Sequence, residues 1–338
     1  MKPVVLSLAP LPAELIKALI MQTSGLPDFD VVSGGGMSRE ELSDAFSRAD
    51  VVMGDYTFQC PILSDVLDKA LSVKLIQQPS VGYQHIDVPA CTERRIPVAN
   101  TPGANTASVA EHTLACGLSL LRKMLAANQG IREGRWDQLS LNPVELAGKT
   151  WGLIGFGRIG RAVSLRLKPF APARVLYYDV VRLSAEEEDE HGVSYALFRD
   201  LLVSSDIVSL HAPLTETTLH MIGDEELGHM KPTAYLINVA RGELVDEDAL
   251  ARALKEGRIA GAAVDVFSRE PLAADNPLLE AAGGNLLLSP HVAGVSTEAA
   301  GRIITMAAGN IARVLKGLEP LHVVNDTFVT PAGGRSTE

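Results

Sequence analysis

Three short segments carry side chains that could act together: Asn238-Val239-Ala240-Arg241-Gly242, Ser268-Arg269-Glu270-Pro271 and Ser289-Pro290-His291-Val292-Ala293-Gly294. They supply a cation, a carboxylate and an imidazole, each just after a short apolar run. In a parallel α/β sheet, ligands gather at the C-terminal ends of the strands. A guanidinium is a planar fork of permanently charged donors, suited to gripping a carboxylate and polarising a carbonyl beside it. An imidazole titrates near neutral pH and can give or take a proton in either reaction direction. A carboxylate against it favours the protonated form and fixes the ring. Singly, each has an ordinary reading: a surface arginine, a loop glutamate, a structural histidine. Their placement after successive strands favours the catalytic one.

Upstream lies Gly155-Phe156-Gly157-Arg158-Ile159-Gly160, between a strand pattern and a helix pattern. A GxGxxG alone is weak evidence, but this context is the one a dinucleotide loop requires. Gly155 makes the tight turn, Gly157 admits a pyrophosphate to the backbone, and Gly160 lets helix and strand pack closely. The helix N-terminus offers unpaired N–H groups to the anion. Asp179, about twenty residues past Gly160, can accept hydrogen bonds from ribose hydroxyls and would repel a 2′-phosphate. NAD is therefore expected over NADP, although Arg182 nearby weakens that preference. The combination describes hydride transfer to or from a small carboxylate with an adjacent carbonyl or hydroxyl.

These groups need a framework, and the chain supplies two. Val4–Leu8, Val51–Met53 and Leu75–Gln77 read as strands, and Ser38 with Glu41 forms a capping box opening a helix between the first two. A second βαβ series runs through Thr150–Ile154, Ala173–Tyr177, Ile207–Leu210, Ala234–Ile237, Gly261–Val264 and Asn285–Leu288. Helix-sized gaps between strands imply parallel sheets, so the fold class is α/β with two doubly wound domains. Between the series, Asn105 opens an Ala/Leu-rich helical stretch to about Asn128. It is apolar on more than one face and should be buried between domains or subunits. An amphipathic helix spans about Thr297 to Leu318, ended by Gly317 and Pro320. The tail from residue 327 has nothing to pack and is expected to be disordered.

The 338 residues suffice for two cores, with 46% hydrophobic side chains. A net charge of −11 argues against nucleic acid or an anionic membrane as partner. No apolar run is long enough to span a bilayer. Met1–Leu6 runs into a strand pattern without a signal-peptide h-region. Cys60, Cys91 and Cys116 are isolated, which predicts reduced thiols, no zinc site and a cytoplasmic location. The acidic run Glu186–Glu190 reads as a solvated helix face, with a capping box from Ser184 and Glu187.

The chain resembles the D-isomer-specific 2-hydroxyacid dehydrogenase family up to about Asn325. The matching pieces include Asn100-Thr101-Pro102-Gly103, Thr106 with Val109-Ala110-Glu111, Gly155–Gly160, His211-Ala212-Pro213, Asn238–Asp246, Ala263–Phe267 and Pro290-His291. The resemblance implies Arg241, Glu270 and His291 as the catalytic trio and no metal. It implies a Rossmann dinucleotide-binding domain over 105–296 and a smaller flavodoxin-like substrate domain over 1–104 plus 297–326, with the active site in the cleft between them. Asp265 would accept from the nicotinamide carboxamide, and Thr106 would lie near the nicotinamide or phosphates. Arg158 and Ile159 would meet the pyrophosphate, and His211 and Pro213 would line the cofactor pocket. Ala240 and Gly294 complete that cofactor-binding set. The helix after Thr106 would support a homodimer.

Ser80-Val81-Gly82 aligns with the family loop whose amides grip the substrate carboxylate, and a glycine-containing loop after a strand can present adjacent N–H groups to an anion. Loops 53–57 and 77–80 hold no Lys or Arg, and Asp55 would repel a phosphate, which disfavours a phosphorylated substrate. Tyr56 and Trp136 could shape the pocket or simply pack. Two rival readings stay open: an NAD(H)-sensing protein like the C-terminal-binding corepressors, and a phosphite-type dehydrogenase. Glu270 argues against a formate dehydrogenase, where an amide replaces the carboxylate.

Overall fold

The computed structural model describes residues 2–281 and 285–325; the predicted tail from residue 327 lies outside them. The chain divides into two compact units, one from the first 105 residues plus those from Ser296 on, the other Thr106–Val295.

The first unit carries β1 (Val4–Ser7), β2 (Asp30–Ser33), β3 (Val51–Met53), β4 (Leu75–Gln77) and β5 (Val98–Ala99). They form one parallel sheet in the order β2-β1-β3-β4-β5, the flavodoxin-like arrangement. Successive side chains leave a strand on opposite faces, and here both are apolar. Leu6, Val52 and Ile76 enter one core, while Val5, Val51 and Leu75 enter another. Each such burial contributes roughly 1.5–3 kcal/mol. The helix Thr297–Leu315 sets Ala308, Ile311, Ala312 and Val314 into the second core. Its buried Asn310 donates to the Gln77 side chain at 2.6 Å and to Leu321 O at 2.9 Å, tying the C-terminal segment to β4.

The second unit holds β6 (Thr150–Ile154), β7 (Arg174–Tyr178), β8 (Ser194–Tyr195), β9 (Ile207–Leu210), β10 (Tyr235–Asn238), β11 (Gly261–Val264) and β12 (Leu286–Leu288). The order β12-β11-β10-β9-β6-β7-β8 is a Rossmann sheet with one added strand, parallel throughout. Trp151 and Leu153 face one core and Ile154 the other. The topological switch lies between β6 and β9, the place where ligands bind in sheets of this kind.

The two sheets share a device. Asp50, before β3, accepts Val4 N–H at 2.9 Å and pairs with Lys74 at 2.9 Å. Asp206, before β9, accepts Thr150 N–H at 2.8 Å and pairs with Lys231 at 2.8 Å. Each clamp fixes the start of a sheet's first strand.

Both capping boxes form, at Ser38 with Glu41 and at Ser184 with Glu187. The strands β2, β5 and β8 escape the apolar pattern because they are very short or, in β2, mostly exposed. The stretch predicted as one helix to Asn128 is two, Thr106–Leu121 and Met124–Arg132, broken at Lys123 with φ of 54°. Periodicity does not report a single left-handed residue.

Candidate active site

β6 ends at Ile154, and Gly155 turns the chain with φ of +90°. A Cβ there would lie 2.6 Å from Ala212 N and from His211 C, so the backbone after β9 closes the turn to any other residue. A Cβ on Gly160 would meet Gly155 O at 2.4 Å, whereas one on Gly157 meets nothing within 4 Å. The loop is tight below and open above. The helix Arg158–Leu167 begins there with no side-chain cap, its first N–H groups left for an anion, and Arg158 is exposed beside them.

Asp179, after β7, accepts Phe156 N–H at 2.7 Å and Val181 N–H at 3.0 Å, one on each oxygen. Each oxygen keeps a lone pair for a ribose hydroxyl. Arg182 is drawn elsewhere, with Nε 3.5 Å from Glu188 and the guanidinium over the Tyr195 ring at 5.0 Å. After β9, burial pushes His211 down to about 3, so it is neutral. Trp151 Nε1 donates to Ser209 Oγ at 2.9 Å, and Ser209 Oγ lies 2.9 Å from His211 Nε2. His211 Nδ1 is buried and without a hydrogen-bond partner among the described residues. Pro213 O accepts from Thr218 Oγ1 at 2.8 Å. Thr106 begins its helix, partly buried.

β10 delivers Arg241. The Asn238 side chain donates to Arg241 O at 2.8 Å and accepts Ala240 N–H at 3.1 Å, which sets the bend. A Cβ on Gly242 would lie 1.9 Å from Phe267 C; only glycine lets this loop pass the one leading to Glu270. That second loop is pinned by Glu247, which accepts Ser268 N–H at 2.7 Å. Glu270 Oε1 accepts Phe267 N–H at 2.9 Å, and Oε2 meets His291 Nδ1 at 2.7 Å. The pairing engages Nδ1 of His291 and leaves Nε2 outside it.

His291 sits in the left-handed region, φ of 54°. Its N–H donates to Asp265 O at 2.7 Å. The Asp265 carboxylate, 1% exposed, accepts Ser289 Oγ at 2.5 Å, Val292 N–H at 2.9 Å and Ala293 N–H at 2.8 Å. Three of about four acceptor positions therefore hold the histidine loop, and one on Oδ2 remains. Gly294 follows, partly buried. Asn238, Gly242, Glu247 and Ser289 are positioning residues that reading the sequence did not single out. Asn238 and Gly242 lie inside the segment that carries Arg241, and that adjacency is the signal that could have found them.

In the first unit, Ser80 Oγ donates to Gly82 O at 2.7 Å and Asn100 Nδ2 to Val81 O at 2.8 Å. The N–H groups of Val81 and Gly82 donate to no described residue. Tyr56 is 40% exposed on the neighbouring loop. Asp55 differs from expectation: at 2% exposure it accepts the N–H groups of Thr57, Gln59 and Cys60. It folds its own loop and does not present a charge to a ligand.

Residues 114–293 match the family described as D-isomer specific 2-hydroxyacid dehydrogenase, NAD binding domain. A glyoxylate reductase of Thermofilum pendens is 44% identical over 292 residues, 85% of either chain. The chain belongs to the D-isomer specific 2-hydroxyacid dehydrogenases. A D-3-phosphoglycerate dehydrogenase of Archaeoglobus fulgidus is 38% identical over 88% of this dehydrogenase, which spans 55% of that longer relative. Among solved structures, an Aquifex aeolicus D-lactate dehydrogenase complexed with NAD and lactic acid has a TM-score of 0.80 at 31% identity, covering 93% of this chain and 96% of that one.

This dehydrogenase is an NAD-dependent oxidoreductase, and its glycine loop fits the cofactor: an open face above Gly157, uncapped helix N–H groups and a ribose-ready carboxylate. Burial works to raise the Glu270 carboxyl, but His291, the Phe267 N–H and the Arg241 charge together hold it below the usual range. Burial lowers the Arg241 guanidinium somewhat against Glu243 and Glu270. Arginine's proton affinity is so high that it stays charged. Among the described residues, no three His, Cys, Asp or Glu side chains gather as metal ligands, and no helix is long and apolar enough to cross a membrane.

Proposed function

We propose that this chain interconverts a small, unphosphorylated 2-oxo acid and its D-2-hydroxy acid, with Arg241 on the substrate and the Glu270–His291 pair as acid and base. The carrying observation is the 2.7 Å contact between His291 Nδ1 and Glu270 Oε2, with the carboxylate itself anchored on Phe267 N–H. Glu270 orients the imidazole and balances its charge, so Nε2 delivers a proton to a forming alkoxide or removes one from a hydroxyl. Arg241 holds the carboxylate and draws electron density from the carbonyl. The unspent N–H groups of Val81 and Gly82, with Ser80, grip the substrate carboxylate, and Tyr56 borders it.

When bound, NAD supplies the carbon that gives or receives the hydride. Gly155, Gly157, Arg158, Ile159 and Gly160 would cradle its pyrophosphate, and Asp179 its adenosine ribose. Thr106, His211, Pro213, Ala240, Asp265 and Gly294 would line the rest, with the open Oδ2 position of Asp265 for the carboxamide. The occupied Arg182 supports NAD over NADP. The absence of Lys and Arg from the loops beside Tyr56 and Ser80 favours an unphosphorylated acid, as the glyoxylate reductase relatives suggest. A cytoplasmic homodimer is the state this reading implies.

The test is NADH consumption by the purified protein against glyoxylate, hydroxypyruvate, pyruvate, bulkier 2-oxo acids and phosphohydroxypyruvate, with NADPH in parallel and His291→Ala alongside. Turnover of an unphosphorylated acid that falls about 10²–10⁴-fold in the variant is expected. Preference for the phosphorylated acid, or a variant with near-normal turnover, would overturn the reading. Tight NADH binding with no turnover would favour a sensor instead.

A further inference from the structure

The helix Thr106–Leu121 places a second histidine, His112, against the loop that carries His291. His112 Nε2 lies 3.3 Å from Ser289 Oγ and 3.8 Å from Asp265 Oδ1, with its side chain 23% exposed. Ser289 Oγ is itself 2.5 Å from Asp265 Oδ1. A carboxylate can only accept, so the single Ser289 proton goes to Asp265. The Ser289 oxygen is then an acceptor, and Nε2 of His112 must be the donor. A directed chain results: His112 N–H to Ser289 O–H to the buried Asp265 carboxylate. Cys116, one turn further along the same helix, is also buried against this carboxylate; burial first, and Asp265 second, push its thiol up to about 12.

What that carboxylate holds gives the chain its meaning. Val292 and Ala293 donate their N–H groups to it, and His291 N–H donates to the Asp265 carbonyl. His291 itself has a left-handed backbone, a conformation that costs about 1 kcal/mol or more and persists only where neighbours over-determine it. The loop is held at Ser289, Val292 and Ala293, and the Ser289 hold is oriented from His112.

We infer that His112 is a positioning residue for the reaction, acting through Ser289 and Asp265 to place the loop that carries His291. The inference rests on the acid–base reading of His291 given above. Among the described residues, His112 pairs with Ser289 and Asp265 and not with Glu270 or His291; its effect passes through the Asp265 carboxylate. A displacement of the order of 1 Å at a reacting group can cost about a hundredfold in rate, so loosening one of these holds should be felt in turnover.

The experiment compares His112→Leu, His112→Gln, Ser289→Ala and the His112→Leu/Ser289→Ala double variant, reading kcat, KM for the 2-oxo acid, the NADH dissociation constant by fluorescence, and Tm. His112→Leu should lower kcat roughly 10- to 100-fold, with a much smaller loss of NADH affinity and Tm near wild type. His112→Gln, whose amide can donate from a similar place, should recover most of that loss. The double variant should be no worse than the poorer single one, since both cut the same chain. Wild-type kcat in His112→Leu, equal losses in Leu and Gln, additive losses in the double variant, or NADH affinity falling in step with kcat would each overturn the inference. Should His112→Leu fail to fold, Ser289→Ala alone carries the same kcat prediction. His291→Ala separates the two levels: near-normal turnover there removes the acid–base reading and this inference with it. A loss there without one in His112→Leu removes this inference alone.

Discussion

At Glu270 two opposed effects meet. Burial disfavours its charge, while His291, the Phe267 N–H and Arg241 favour it, and the favourable set prevails, so the carboxyl titrates below its ordinary value of 4.5. The sign follows from that direction. Glu270 is ionised, and its hold on the imidazole intact, at every pH above its lowered value; the hold is lost only as pH falls through that value. In wild type the acid limb of kcat/KM assigned to Glu270 should therefore lie below pH 4.5. Glu270→Gln should lower turnover about tenfold or more, because a neutral amide cannot balance the charge His291 carries while it gives or takes the proton. That variant should also lose this acid limb. A Gln variant with an unchanged pH profile would remove Glu270 from the role. All three catalytic candidates could be named from residue type and position after strand-like runs. Asp55 could not be read the same way, because a carboxylate's meaning depends on which N–H groups surround it, and its loop supplies three.

Among elements, the clearest device is the aspartate–lysine clamp repeated at the start of both sheets. Burial works to raise both carboxyls, yet the strand N–H and the lysine hold each below the usual 3.8. A depressed folded value means the stabilisation is fully present above the ordinary carboxylate range and is lost as pH falls through the folded value. Asp206→Asn should cost about 1–3 kcal/mol at neutral pH, a fall of several degrees in Tm, and the difference from wild type should shrink towards pH 3 and below. Asp50→Asn should behave likewise and add to it, the clamps sharing no residue. A Tm gap constant with pH would contradict the ionic account. No repeat was visible in the sequence between the two halves. The likeness resides in hydrogen bonds that link each aspartate to a residue far along the chain, which no local comparison detects. Element type was legible where two-sided burial ran over three or more residues, as in β6 and β9. The pattern failed at β2 and β8, and at Lys123, where one left-handed residue splits a helix.

For the whole molecule, four large apolar side chains stand exposed in the second half of the split helix and just after it. Met124 is 57% exposed, Ile131 59%, Trp136 80% and Leu139 90%. Apolar side chains of this size are costly to leave in water, and a second copy of the chain is the proposed occupant. Wild type should sediment as a dimer, and Trp136→Glu with Leu139→Glu should sediment as a monomer. A wild-type monomer at micromolar concentration would exclude that arrangement. What the sequence by itself determined was chemistry and class: the glycine loop in its strand–helix context, the cation, carboxylate and imidazole after successive strands, and two parallel α/β series. Those signals are local, carried by backbone geometry and side-chain type within a few residues. Tertiary structure alone decided which carboxylates tie a loop, that Gly242 must be glycine because another loop crosses it, and that His112 reaches the loop of His291 through Ser289. Each of these depends on segments distant in sequence meeting within a few ångströms, and side-chain type carries no record of who its neighbour will be.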